Sequence, residues 1–236
     1  MKKRSRRYRQ GLEKIKAGAL YPLEGAIALL RELPPAKFDE TVELTFNLGI
    51  DPKQTEQLVR GTVALPHGTG KKVRIAVFAK GAQADEAKAA GADVVGHEDL
   101  IKRVNEGWAD FDIAVTTPDL MRELGRLGKI LGPRGLMPSP KTGTVTKEVG
   151  KAVKELKAGR IEFRTDKGAN IQVPIGKRSF AATALVDNAR TVIEGLLKAR
   201  PSTVKGVYLK RCVVSSTMGA GVPVDIREYT AAKHEG

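Results

Sequence analysis

The cleanest alternation of apolar and polar positions in the chain runs from residue 41 to residue 48. Val42, Leu44, Phe46 and Leu48 fall on one side, and Thr41, Glu43, Thr45 and Asn47 on the other. This predicts a strand with one face buried and one in water, as in an antiparallel sheet. A helix is expected before it. Pro22 suits a first helical turn, Leu23, Ile27 and Leu30 share a face with Ala26 and Leu33 beside them, and Pro34-Pro35 must end it. A further strand is expected over 58–65. It is followed by Pro66-His67-Gly68-Thr69-Gly70-Lys71-Lys72, whose Gly-Thr-Gly-Lys invites comparison with a phosphate loop. The comparison fails: Leu65 stands where the first glycine is needed, Lys72 where Ser or Thr is needed, and a strand follows where a helix should. The stretch reads as a hinge or linker.

From residue 71 the pattern changes. Val73–Phe78 and 111–116 are nearly continuous apolar runs, 94–95 is a short strand, and helices are expected over 82–90, 99–106 and from Thr117-Pro118 onward. Strands alternating with helices imply a small parallel sheet covered on both faces. Residues 128–143, GKILGPRGLMPSPKTG, hold too many glycines and prolines for a regular element. Lys129, Arg134 and Lys141 in this loop would suit phosphate. A helix over 146–157 closes the segment.

The first pattern then returns. Ile161 and Phe163 alternate with Arg160, Glu162 and Arg164; Asp166-Lys167-Gly168 is a turn; and 170–175 alternates again, predicting a β-hairpin. Ser179 is expected to cap a helix running to about Ala199. A last strand is expected from Val207, with Val207, Leu209 and Val213 opposed to Tyr208, Lys210 and Val214. It ends in Ser215-Ser216-Thr217-Met218-Gly219-Ala220-Gly221, either a loop that merely terminates a strand or a surface of hydroxyls and amides suited to phosphate and sugar oxygens. The whole predicts one domain inserted into another: an α+β split-βαβ (ferredoxin-like) domain of residues 1–67 and 160–236, with an α/β parallel-sheet, Rossmann-like three-layer insert at 68–159.

Composition sharpens the reading. The chain has 236 residues, 41% of them apolar, which suits a globular protein. Lysine and arginine number 41 against 27 acidic residues, a formal net charge of +14 that favours a polyanionic partner, most often nucleic acid. Residues 68–159 carry 16 basic and 12 acidic side chains and the flanking segments 25 and 15, but the excess in the flanks rests largely on Lys2, Lys3, Arg4, Arg6, Arg7 and Arg9. Charge therefore does not choose the binding domain. That basic stretch reads equally as a solvated tail or an RNA contact. The lone Cys212 allows no intrachain disulfide, no apolar run reaches a membrane span, and the N-terminus lacks the apolar core of a signal peptide. A cytoplasmic protein is expected. His67, His97 and His234 lie far apart without ligand spacing, and one glycine follows Val73–Ala79 where a dinucleotide fingerprint needs three. No cofactor, metal or catalytic residue is expected, so enzyme chemistry is disfavoured.

Phe38-Asp39-Glu40-Thr41-Val42-Glu43-Leu44, the run from Arg60 to Lys71, Ile130–Pro138 and Ser215-Ser216-Thr217-Met218-Gly219 closely resemble the bacterial form of the large-subunit ribosomal protein L-one family. The similarity covers nearly the whole chain up to about Asp225. It implies a two-domain, non-enzymatic protein, monomeric when free, whose split domain binds large-subunit ribosomal RNA at the mobile stalk beside the exit site, where deacylated tRNA leaves. It also implies binding to the messenger of its own operon, repressing translation. The RNA contact it implies falls here on Lys37, Phe38, Glu40, Thr41, Glu43, Arg164, Asp166, Lys167, Gly168, Ser215, Thr217, Met218 and Gly219. In that arrangement Lys37, Arg164 and Lys167 would neutralise phosphates, Ser215 and Thr217 would bond ribose or phosphate oxygens, Gly219 would admit a close approach, and Met218 would meet a sugar or base. From the residues alone, Phe38 could be core or an exposed stacking ring, and Met218 core or an apolar contact.

Overall fold

A computed structural model describes residues 4–231. Lys2, Lys3 and His234 lie outside the described residues, as does the side chain of Lys141. In chain order the elements are α1 (Arg6–Glu13), α2 (Leu23–Glu32), β1 (Thr41–Leu48), β2 (Arg60–Ala64), β3 (Ile75–Phe78), α3 (Ala82–Ala89), β4 (Val94–Gly96), α4 (Glu98–Asn105) and β5 (Ile113–Thr116). Then come α5 (Met121–Leu124), α6 (Gly128–Leu131), α7 (Val149–Lys157), β6 (Arg160–Arg164), β7 (Asn170–Lys177), α8 (Ala182–Lys198), β8 (Leu209–Ser216), β9 (Val222–Val224) and α9 (Arg227–Ala231). The fold is mixed α and β with several sheets, one of them parallel. Two compact units divide the chain, one of residues 1–70 with 161–236 and one of residues 71–160.

In the discontinuous unit, an antiparallel sheet runs in the order β7-β1-β8-β9. Val42, Leu44, Phe46 and Leu48 of β1 point into a core with Ile171, Val173 and Ile175 of β7 and Cys212 and Val214 of β8. The apolar stripes of α2 (Leu23, Ala26, Ile27, Leu30) and α8 (Leu185, Ala189, Val192, Ile193, Leu196) join that core. Burying each large aliphatic of this kind contributes about 1.5–3 kcal/mol. The opposite face of β1, Thr41, Glu43, Thr45 and Asn47, stays half open.

Three local expectations are corrected. The segments 160–165 and 170–175 do not pair as a hairpin: β6 pairs with β2, and β7 with β1. The chain does reverse over 166–170, where the Asp166 amide donates to the Asn170 carbonyl and Ala169 takes a left-handed φ of 60°, but the strands part beyond the turn: the Thr165 amide donates to the Val59 carbonyl, and Asn170 lies opposite Asn47. The facing of β8 also differs. Its register against β1 slips between Asn47 and Leu48, placing Arg211 opposite Asn47 and Leu209 opposite Leu48. Cys212 and Val214 are therefore core, Val213 is half-buried, and Val207 stands 68% exposed ahead of the strand. Finally, α8 begins at Ala182, because the Ser179 hydroxyl donates to Asp39 Oδ2 (2.8 Å) instead of capping the helix.

Cys212 is buried, and desolvation pushes its thiol up to about 12. Reaction with a thiol reagent at pH 8 is expected to be slower by orders of magnitude in the native protein than in denaturant. Equal rates in the two conditions would contradict this packing.

In the unit of residues 71–160 the strands run parallel in the order β4-β3-β5. Ile75, Val77 and Val115 pack on one side with α3 and α7; Ala76, Phe78 and Ala114 pack on the other with α4, α5 and α6. The stretch 128–143 holds more order than its glycines and prolines suggest. It starts as α6, with Leu131 buried, and ends on a turn in which Thr142 Oγ1 and Thr144 Oγ1 both donate to the Ser139 carbonyl. The last helix of the unit starts at Val149 rather than 146.

Candidate nucleic-acid interface

At the end of the sheet where β1 begins and β8 finishes, two loops meet. Residues 34–40 lead into β1, and residues 217–221 lead out of β8. The strand pairing brings them together: Val42 is opposite Ser216, the Thr217 amide donates to the Thr41 carbonyl (3.0 Å), and the Thr41 amide donates to Thr217 Oγ1 (3.0 Å). Phe38 and Met218 project from these loops, 55% and 54% exposed. Large apolar side chains held open on loops at one strand end are an exception to ordinary burial.

Beneath them lies Glu40, wholly buried. Its Oε1 accepts the Met218 amide (2.9 Å) and the Ser216 hydroxyl (3.1 Å), and its Oε2 accepts the Ala36 amide (3.1 Å) and Arg178 Nη1 (3.3 Å). Burial alone would raise this carboxyl, but the two amides, the Ser216 hydroxyl and Arg178 together hold it below 4.5. Arg178 also donates through Nη2 to the carbonyls of Arg31 and Leu33, which ties α2 to the same point. Arg7, from α1, donates through Nη2 to the Met218 carbonyl (2.8 Å) and lies 3.8 Å from Glu40 through Nη1. Lys177 Nζ, on β7, donates to Thr41 Oγ1 (2.9 Å).

The residues singled out from sequence fall into two groups. Lys37, Phe38, Glu40, Thr41, Glu43, Ser215, Thr217, Met218 and Gly219 gather at this rim. Arg164, Asp166, Lys167 and Gly168 do not: they flank Asn170, which pairs with Asn47 at the far end of β1, about 20 Å away at ~3.3 Å per residue. Several side chains have duties other than those expected of them. Glu40 has no side open to a ligand. The Thr217 hydroxyl is occupied by the Thr41 backbone. Gly219 is needed internally, because a Cβ there would collide with Ser216 Oγ. Asp166 is held low, first by the Asn170 amide, and shapes its own turn. Lys37, Arg164 and Lys167 are exposed and form no ion pair among the described residues, and Ser215 and Glu43 lie half-buried on the open sheet face. Arg7 and Ser216 appear in the sequence only as members of a basic stretch and a hydroxyl run, and Lys177 and Arg178 do not stand out at all; their roles here were not visible from sequence patterns. Their partners lie 136 to 211 residues away, and no local periodicity encodes such a contact.

Among the described residues no three His, Cys, Asp or Glu side chains gather so as to hold a metal ion, and no helix is long and apolar enough to cross a membrane. A family model described as "Ribosomal protein L1p/L10e family" matches residues 30–220, which takes in residues 34–40 and 217–220 of the rim and the whole of the 71–160 unit. The chain belongs to the ribosomal protein L1p/L10e family. Two relatives, each named "Large ribosomal subunit protein uL1", come from Bifidobacterium longum strains DJO10A and NCC 2705. Each is 54% identical over 225 residues, covering 95% of this chain and 98% of the relative. As a member of this bacterial ribosomal protein family the chain is ribosome-associated in the cytoplasm, and its relatives are ribosomal proteins rather than enzymes.

Proposed function

We propose that this protein is a structural constituent of the large ribosomal subunit that binds ribosomal RNA through the discontinuous unit. The observation that carries the reading is the pair Phe38 and Met218, both about half exposed, one on each of two loops that Glu40 bonds through the Ala36 and Met218 amides. Such rings and thioethers suit bases or sugars opened from a helix, and the exposed Lys37 beside them suits phosphate. Rigid backing by Glu40 favours recognition of a folded RNA shape over a flexible strand. The half-open face of β1, with Ser215 and Glu43, leads from the rim toward Arg164 and Lys167. A structured RNA lying along it would reach both groups of candidate residues.

The finer identity follows from the family resemblance. We read the RNA as the mobile stalk beside the exit site, with deacylated tRNA as a further partner there and the operon messenger as a second target whose binding represses translation. We read the discontinuous unit as a split βαβ, ferredoxin-like domain, a reading supported by α2 and α8 packing into the core beneath β7-β1-β8. The strand order β4-β3-β5 with helices on both faces supports a Rossmann-like three-layer insert.

The test is excision of the insert. A chain joined from Gly70 to Ile161 by a short Gly/Ser linker is expected to bind purified bacterial large-subunit RNA within about tenfold of the full protein, since a tenfold change is only about 1.4 kcal/mol. Affinity should fall by about 0.7–0.9 log units per log unit of salt for each phosphate neutralised. A shortened chain that folds but does not bind would move the site to the insert.

A further inference from the structure

The N-terminal basic stretch looks like a reservoir of phosphate-binding charge, yet one of its arginines is turned inward. Arg7 is only 26% exposed at its side chain, whereas Arg4, Arg6 and Arg9 are exposed. Its guanidinium reaches three groups on two separate loops: the Met218 carbonyl at 2.8 Å, the Pro34 carbonyl at 3.4 Å and the Glu40 carboxylate at 3.8 Å. Pro34 opens the loop that carries Phe38, and Met218 is itself the other exposed apolar residue. A planar fork can span such a set of acceptors; the single ammonium of a lysine cannot hold the same geometry. The helix that delivers Arg7 is itself anchored. Ser5 caps α1 by accepting the Tyr8 amide, Tyr8 and Ile15 pack against the core, and Lys14 Nζ donates to the Glu32 carbonyl at 3.0 Å.

We infer that Arg7 is a positioning residue of the RNA-binding rim rather than a phosphate contact, and that the first helix of the chain is thereby part of the framework of the site. The inference rests on the reading of the rim as the RNA-binding surface. Arg7 sets the spacing between the Phe38 loop and the Met218 loop, reaching Pro34 27 residues away and Met218 211 residues away in the sequence. Glu40 bonds the same two loops from below through the amides of Ala36 and Met218. The rim is thus clamped on two sides, and its outer clamp comes from a segment whose charge suggests a quite different use.

The experiment is filter binding of purified bacterial large-subunit RNA over a salt series with wild type, Arg7→Ala, Arg7→Lys and Phe38→Ala. It is paired with amide NMR spectra of the RNA-free proteins. Arg7→Ala is expected to weaken binding about tenfold, and Arg7→Lys to fail to restore it. Both should keep the wild-type salt slope, because no phosphate contact is lost. The amide resonances of Met218 and Gly219 should move while those of α7 stay in place. Full rescue by lysine, or a slope reduced by about 0.7–0.9, would identify Arg7 as a phosphate contact and overturn the inference. So would unchanged affinity in Arg7→Ala, or resonances moving throughout the unit. If Phe38→Ala binds as wild type does, the rim itself is not the surface and the positioning role falls with it. If only the Arg7 variants bind as wild type does, the rim stands and the positioning role alone is wrong.

Discussion

Replacing Glu40 by alanine is expected to lower the unfolding free energy by about 3–5 kcal/mol. The carboxylate is fully buried and accepts bonds from Ala36, Met218, Ser216 and Arg178. Removing it leaves the largely buried Arg178 guanidinium, 12% exposed at its side chain, without its counter-charge, and orphans two amides. The pH dependence has a definite sign. Glu40 is held below its ordinary value in the fold. Its contribution is therefore complete above the unfolded carboxyl pKa of about 4.3 and is lost as pH falls through the lower folded value. The stability gap between wild type and Glu40→Gln should be full at neutral pH and should shrink below about pH 4. Urea unfolding of both proteins across this range makes the comparison. A gap that stays constant down to low pH would mean that the carboxylate charge contributes nothing.

The second large effect separates binding from stability. Phe38→Ala and Met218→Ala are each expected to weaken RNA binding by about 1–3 kcal/mol, the range seen when an aromatic or apolar platform for a base is truncated. Both side chains are more than half exposed, so each substitution should change the unfolding free energy by no more than about 0.5 kcal/mol. The two substitutions sit on loops joined through Thr41, Thr217 and Glu40, so their effects on binding should not simply add. Binding titrations with large-subunit RNA and urea unfolding on the same preparations decide the matter. Loss of stability without loss of affinity would return both residues to a packing role.

Elements built on local periodicity were legible along the chain. Val42, Leu44, Phe46 and Leu48 had to share a face because side chains alternate in a strand, and the face with the larger apolar area leaves water. The stripes of α2 and α8 and the apolar runs of β3 and β5 followed from the same reasoning. Register and facing were less legible where the ladder is irregular. The strands on either side of the 166–170 turn leave it for different partners, β6 for β2 and β7 for β1, and the slip beside Leu48 reverses the facing of residues in β8. A single extra residue is enough to do this, and composition does not announce it.

What the sequence by itself determined is the list of segments, their apolar faces, the basic excess and, through long literal motifs, the family. What only the tertiary structure decided is which side chains stand free at the rim and which hold it. Phe38 and Met218 could each have been core, and Glu40 could have faced a ligand. Their roles depend on bonds between residues 36, 40, 178, 216 and 218, and on Arg7 reaching Met218 from the other end of the chain. Contacts at such separations carry no periodic signature, because their geometry exists only after the strands have paired.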